Sequence, residues 1–245
     1  MIIDGHITLL PNADVGKIIA DMDEAGIKRA ILSPADHEVA VNNFEGNSRV
    51  LKVVGKNPDR FYAYATSNPW FGKNSVETLK AAMKSGAVGL KINSSLQGFT
   101  LLDPIVYPLV EAVAEAGTFI YAHTGTPVNA LPLQLRVLAR RYPHVNFIMG
   151  RSGRTDFRTD AIPTLQMQKN IFADTAHDYP QTGLANTFNS VGSGQMIFCS
   201  DSPYETQKFG VECVKAMTIS KDDKDAILRR NLVGLLVRVD NYEKN

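Results

Sequence analysis

Cysteine is scarce in this chain. The two that occur in 245 residues, Cys199 and Cys213, have no C-x-x-C or zinc-knuckle spacing. A disulfide framework and a thiolate-rich metal site are therefore excluded, and both side chains are read as buried, reduced thiols. Net charge is almost absent: 26 Lys and Arg against 25 Asp and Glu leave +1. No field draws in nucleic acid or an anionic membrane, so any preference for an anion must arise locally. No apolar run approaches the roughly 20 residues that span a bilayer. Pro- or Ser-rich linkers, charge blocks and low-complexity segments are also missing, so residues 1–245 are read as one domain. No charged-then-apolar segment precedes the strand-like Ile2-Ile3-Asp4, and a cytoplasmic location is expected.

What is present is a regular alternation. With 44% hydrophobic and 21% charged residues, the chain can bury a large core. Short apolar, β-rich runs stand at 2–6, 29–33, 61–66, 87–93, 118–123, 145–150, 171–175 and 195–200, each followed by a segment that can be helical. Gly26, Gly86 and Gly117 fit the left-handed position that ends a helix before the next strand. Asp103-Pro104 reads as a helix start, and Ser220 to Asp223 has capping-box spacing ahead of a last helix with Ala226, Ile227, Leu232, Leu235 and Leu236 on its apolar side. Eight such units with near-continuous apolar strands predict parallel strands buried on both faces, closed economically as a (β/α)₈ TIM barrel. A doubly wound open sheet is the alternative. The longest irregular pieces, 66–75 and 93–103, are read as loops at the barrel mouth, where Trp70 either walls a pocket or packs on the rim.

In such a barrel the carboxyl ends of the strands line the site. Read in order, those ends carry His6, then Lys91 and Asn93, then His123, Arg151, Thr175 to His177, and Asp201. Strand alternation puts Phe119, Tyr121 and His123 on one face, and groups Phe147 and Met149 with Arg151, and Ile197 and Cys199 with Asp201. An ionisable group at the same end of strand after strand is hard to arrange by packing alone.

The segments Ile3-Asp4-Gly5-His6, Gly86 to Ile92, Tyr121 to Pro127, Phe147 to Gly153 and Ile197 to Tyr204 resemble the amidohydrolase superfamily. The specific likeness is to the amidohydrolase-2 branch related to aminocarboxymuconate-semialdehyde decarboxylase, and it covers essentially the whole chain. The resemblance implies two histidine metal ligands on the first strand, a third on the fifth, an aspartate on the eighth and a catalytic histidine after the sixth. This chain keeps His6, His123 and Asp201, but has Thr8 in place of the second ligand and Arg151 in place of the catalytic histidine.

Two histidines, an aspartate and water form a recognised catalytic zinc set. One divalent ion, zinc by ligand type, is therefore expected on His6, His123 and Asp201 if a metal is retained. Arg151 opposes this, because guanidinium is a permanent cation without a lone pair. Beside Asp201 it would keep that carboxyl ionised, and it also suits a carboxylate or phosphate on a ligand. In the metal-free reading Asp201 is the general base for water, His123 and His6 position it or donate a proton, and Arg151 and Lys91 clamp an anion. His177 stands in for a lost imidazole.

The leading expectation is hydrolysis of an ester, lactone or amide in a small carboxylate-bearing substrate. The resemblance has metal-free lactonases and also decarboxylases, so a carbon–carbon lyase is the alternative. An inactive barrel that binds a small anion is the alternative from another class. The expected partner is a small anionic molecule, with no nucleic acid or membrane; barrels of this kind often form homodimers.

Overall fold

The computed structural model of the chain describes residues 1–153 and 158–242. Eight strands follow one another in chain order around one sheet, each paired parallel with the next. They are β1 (Ile2–Thr8), β2 (Ile27–Ser33), β3 (Phe61–Thr66), β4 (Ala87–Ile92), β5 (Phe119–His123), β6 (Asn146–Gly150), β7 (Ile171–Asp174) and β8 (Met196–Ile197). Helices return the chain between them, which makes this a (β/α)₈ barrel. The first, Val15–Ala25, is capped by the Asp14 carboxylate and ends at Gly26, whose φ of 77° a side chain would resist. No helix among the described residues is long and apolar enough to cross a membrane.

Backbone bonds close the seam between last and first strands. Gly5 N–H donates to the Phe198 carbonyl at 2.8 Å, Asp201 N–H to that of His6 at 3.1 Å, and Thr8 N–H to that of Ser202 at 2.8 Å. β8 itself is shorter than the expected 195–200, and the reason is local. Phe198 N–H bonds to the carbonyl of Ile227 at the chain's end, and Cys199 N–H to the Thr175 hydroxyl, so neither joins a ladder with β7. The expected irregular pieces are also partly helical: Pro69–Phe71 and Ser94–Gln97 form single turns, capped by Asn68 and Asn93.

Two apolar layers surround the sheet. Ile3, Ile31, Tyr64, Phe119, Tyr121, Ile148, Ile197 and Cys199 fill the barrel, joined by Leu232, Leu235, Leu236 and Val239 of the final helix. Phe147 and Met149 instead join the layer between strands and helices. The expected grouping of Arg151 with them on an inward face is therefore corrected, since on β6 it is Ile148 that points inward. Arg151 enters the mouth through a left-handed turn, with φ of 58° at Arg151 and 47° at Ser152. β1 carries an irregularity of its own between Asp4 and Ile7, where four residues face three on β2. The buried Asp4 carboxylate pins it, accepting the N–H groups of His6 at 3.1 Å and Ser200 at 2.9 Å.

Gly150 ends β6 against the Tyr121 ring: a Cβ there would lie 2.6 Å from ring carbons. That ring is fixed by its hydroxyl bond to Asp174 at 2.7 Å, so it cannot move aside freely. Gly150→Ala is expected to cost about 1–3 kcal/mol in urea unfolding. An unchanged unfolding midpoint would mean that the ring yields.

Candidate active site

The carboxylate of Asp201 is the centre on which the mouth converges. It is 2% exposed and sits just beyond β8 in the left-handed region, with φ of 55°. Its Oδ2 accepts from Arg151 Nε at 2.9 Å, and Arg151 Nη2 and His177 Nε2 each stand 2.7 Å away. Its Oδ1 lies 3.0 Å from the buried Nδ1 of His6. The His6 ring stacks on Tyr121, centroids 4.3 Å apart, and its Nε2 meets the Ser33 hydroxyl at 3.0 Å. Lys91 Nζ donates to the same hydroxyl at 3.2 Å. His123 faces the same cavity, with its Nε2 3.2 Å from the Thr126 hydroxyl.

His6, Lys91, His123, Arg151 and Asp201 open on a cavity of about 200 Å³, lined also by Asp36, Asn93, Leu96 and Tyr204, while His177 stands behind Asp201 and outside the lining. A cleft of about 300 Å³ elsewhere, beside the helix Lys73–Lys84, has only Lys80, Lys84 and Glu115 as ionisable lining and offers no comparable chemistry.

Burial and the neighbouring Lys91 charge lower the pKa of His6 to about 4, against the pull of Asp201. Burial, Arg151 and Lys91 take His123 to about 3, so both imidazoles are neutral at pH 7. The hydrogen bond to Asp201 raises His177 in spite of partial burial, and Glu205 adds to this through an Nδ1–Oε1 contact of 3.3 Å. Burial alone would raise the carboxyl of Asp201. The bond from His177 and the nearness of His6 and Arg151 outweigh it and hold the pKa far below the usual carboxylate range. Lys91 is lowered from 10.5, chiefly by burial. Beneath the site, burial lifts Asp4 to about 7 and Asp174 to about 6.

A model of the Amidohydro_2 family, described as amidohydrolase, matches residues 3–231. The chain belongs to this family. It is similar to the gamma-resorcylate decarboxylase of a Polaromonas strain, 22% identical over 84% of this chain and 82% of that one. A shorter match, 27% identical, joins 31% of this chain to 22% of the 2-amino-3-carboxymuconate-6-semialdehyde decarboxylase of Dictyostelium discoideum. Among solved structures, the 5-carboxyvanillate decarboxylase of Novosphingobium aromaticivorans, complexed with manganese and a nitrobenzoic acid, superposes with a TM-score of 0.79. That likeness covers 97% of this chain and 96% of the other at 17% identity, and shows the shared barrel fold.

The described residues of the chain do not offer the donor set of a divalent ion. Among the described residues no three His, Cys, Asp or Glu side chains stand together in a way that could hold a metal. The expected set of His6, His123 and Asp201 is not assembled. Asp201 is taken up by cations, His123 turns to Thr126, and Thr8 presents a buried hydroxyl without a hydrogen-bond partner.

Several members of the site had no signal in the sequence reading. Ser33, which joins His6 to Lys91, looked like the end of an ordinary strand. Asp174 holds the Arg151 N–H at 3.0 Å and was hidden inside β7. Glu205, on the far side of His177, lies in a loop, and Asp36, bonded to the Tyr204 hydroxyl at 3.1 Å, opens the short helix Asp36–Ala40. Trp70 lies outside the cavity lining and bonds the Gly98 carbonyl at 3.2 Å, which is its rim-packing reading.

An imidazole kept neutral by the fold but charged when unfolded lends stability that is whole above the unfolded pKa near 6.5. It is lost as pH falls toward about 4 for His6 and about 3 for His123. At about pH 5.5 imidazole nitrogen shifts in NMR are expected to show His6 and His123 neutral and His177 charged. The acid loss of thermal stability should be shallower in His123→Gln.

Proposed function

We propose that this chain is a decarboxylase of small aromatic acids, a carbon–carbon lyase that replaces a ring carboxylate by hydrogen. The observation that carries this reading is the mouth cavity, where Lys91 and Arg151 stand beside Tyr121, Tyr204 and Leu96. Its volume of about 200 Å³ is below the usual range for ligand pockets and suits a single ring. The named relatives support it, since all three are decarboxylases and one was solved with a substituted benzoic acid.

The reaction adds one proton to the ring carbon, and the broken carbon–carbon bond returns its electron pair to the ring as carbon dioxide leaves. Lys91 is the group placed to give that proton. Burial makes its ammonium a stronger acid than an ordinary lysine, and Ser33 with the neutral His6 holds it in place through bonds of 3.2 and 3.0 Å. Arg151 orients the carboxylate. Its charge is already shared with Asp201, so it stabilises the charged ground state less than a free guanidinium would. His123 and Asn93 line the cavity and complete the ring's seat. Hydrolysis with Asp201 as base is less well supported, because a carboxylate held so far below the usual range is a weak base for water.

The test is incubation with carboxylated phenols, following carbon dioxide release and the ring absorbance. Lys91→Met is expected to lower kcat by about 100- to 10,000-fold with an unchanged circular dichroism spectrum. Lys91→Arg should not recover activity, because guanidinium keeps its proton. Full turnover in Lys91→Met would remove the lysine from the chemistry. Failure of the wild type on every ring carboxylate would remove the decarboxylase reading.

A further inference from the structure

We infer that the Arg151 guanidinium is a built-in cation occupying the place of a divalent ion on Asp201, and that the site binds no such ion. Three independent features of the mouth carry this.

The first is the use of lone pairs. A carboxylate oxygen has about two, and Oδ2 of Asp201 already faces three donor nitrogens: Arg151 Nε at 2.9 Å, Arg151 Nη2 at 2.7 Å and His177 Nε2 at 2.7 Å. An ion would need oxygen or nitrogen ligands at about 2.0–2.2 Å, and could reach Oδ2 only by expelling those donors.

The second is the way Arg151 is aimed. Its position does not follow from strand alternation. Two successive left-handed residues, Arg151 and Ser152, turn it inward, a conformation that costs about 1–3 kcal/mol per residue and persists only where its surroundings enforce it. Asp174 enforces it, accepting the Arg151 N–H on Oδ2 at 3.0 Å and the Ser152 hydroxyl on its backbone carbonyl at 2.6 Å. Gly153 N–H is held in turn by the Thr124 hydroxyl at 2.9 Å. A surface arginine that had drifted over a vacant site would not require this support.

The third is the state of the other donors. Thr8 and His6 lie on one face of β1, but Thr8 offers a hydroxyl, a poor ligand for zinc or manganese beside imidazole. The Nε2 of His6 is engaged by Ser33, which also receives the Lys91 ammonium, so a second positive charge stands close to the imidazole. A dication placed here would meet Arg151 and Lys91 as well as the neutral histidines.

The experiment reads metal rather than turnover, so its failure is distinct from failure of the decarboxylase reading. Wild-type protein is dialysed first against Zn²⁺ or Mn²⁺ and then against metal-free buffer, and its metal content and thermal midpoint with added ion are measured. The expected result is a negligible metal content and no shift in midpoint. About one ion per chain, or a midpoint that rises with added Zn²⁺ or Mn²⁺, overturns the inference. The double variant Thr8→His with Arg151→Gln adds an imidazole beside His6 and frees the Asp201 carboxylate, and is expected to gain about one ion per chain. A double variant with native circular dichroism that still binds neither ion overturns the assignment to these two positions. If the double variant does not fold, Arg151→Gln alone decides. Its thermal midpoint is expected to rise with added Zn²⁺, where that of the wild type does not move, through loss of one repelling charge, and no rise overturns the assignment.

Discussion

The ion pair between Asp201 and Arg151 organises the mouth of this barrel. One carboxylate, nearly removed from solvent, draws a guanidinium from beyond β6 and an imidazole from beyond β7 to the end of β8, with His6 of β1 alongside. Removing Arg151 would leave the buried carboxylate with His177 as its remaining hydrogen-bonding partner, and taking a partner from a buried charge costs more than an exposed pair is worth. The pair therefore fixes where the loops after three strands can lie. It also divides the ionisable groups into two sets. His6 and His123 are pushed toward their neutral forms, while His177 and Asp201 are pushed toward their charged forms. One environment thus supplies neutral and charged groups a few ångströms apart, the condition for acid and base roles to coexist at one pH.

The barrel was legible because its signal is spread along the chain. Eight apolar runs, each followed by a helical segment, leave few alternatives, and the expected strand at 61–66 coincides with β3. β8 was overread because an apolar run does not reveal that Thr175 and Ile227 will take the N–H groups of Cys199 and Phe198. The strand ends did bring Lys91, His123, Arg151 and Asp201 to one cavity, with His177 behind Asp201. For Arg151 the period-two rule gave the right destination by the wrong route, since the strand faces outward there and a left-handed turn reverses it. Ser33 and Asp174 were not legible at all, because nothing in a strand sequence tells which polar residue will support a neighbour across the barrel.

Sequence identity near 17% with a nearly complete structural match illustrates how weakly a barrel constrains its rim. Apolar residues between sheet and helices need only fill volume, while the mouth depends on a handful of side chains. In this chain the mouth carries Arg151, whose guanidinium cannot act as a base or a metal ligand. It belongs to a preassembled cluster of opposite charges, held by hydrogen bonds among its own members.

Arg151, Ser152, His177 and Asp201 are the four described non-glycine residues with left-handed backbone, and three of them meet in one charge cluster. The site is therefore kept against a local conformational preference. At each of these positions glycine would relax the backbone, and asparagine would tolerate it better than most side chains. Random substitution combined with selection for thermal resistance alone would thus tend to erode the cluster while leaving the barrel sound. For any effort to harden this protein, those four codons are the ones to hold fixed, because there robustness and chemistry pull in opposite directions.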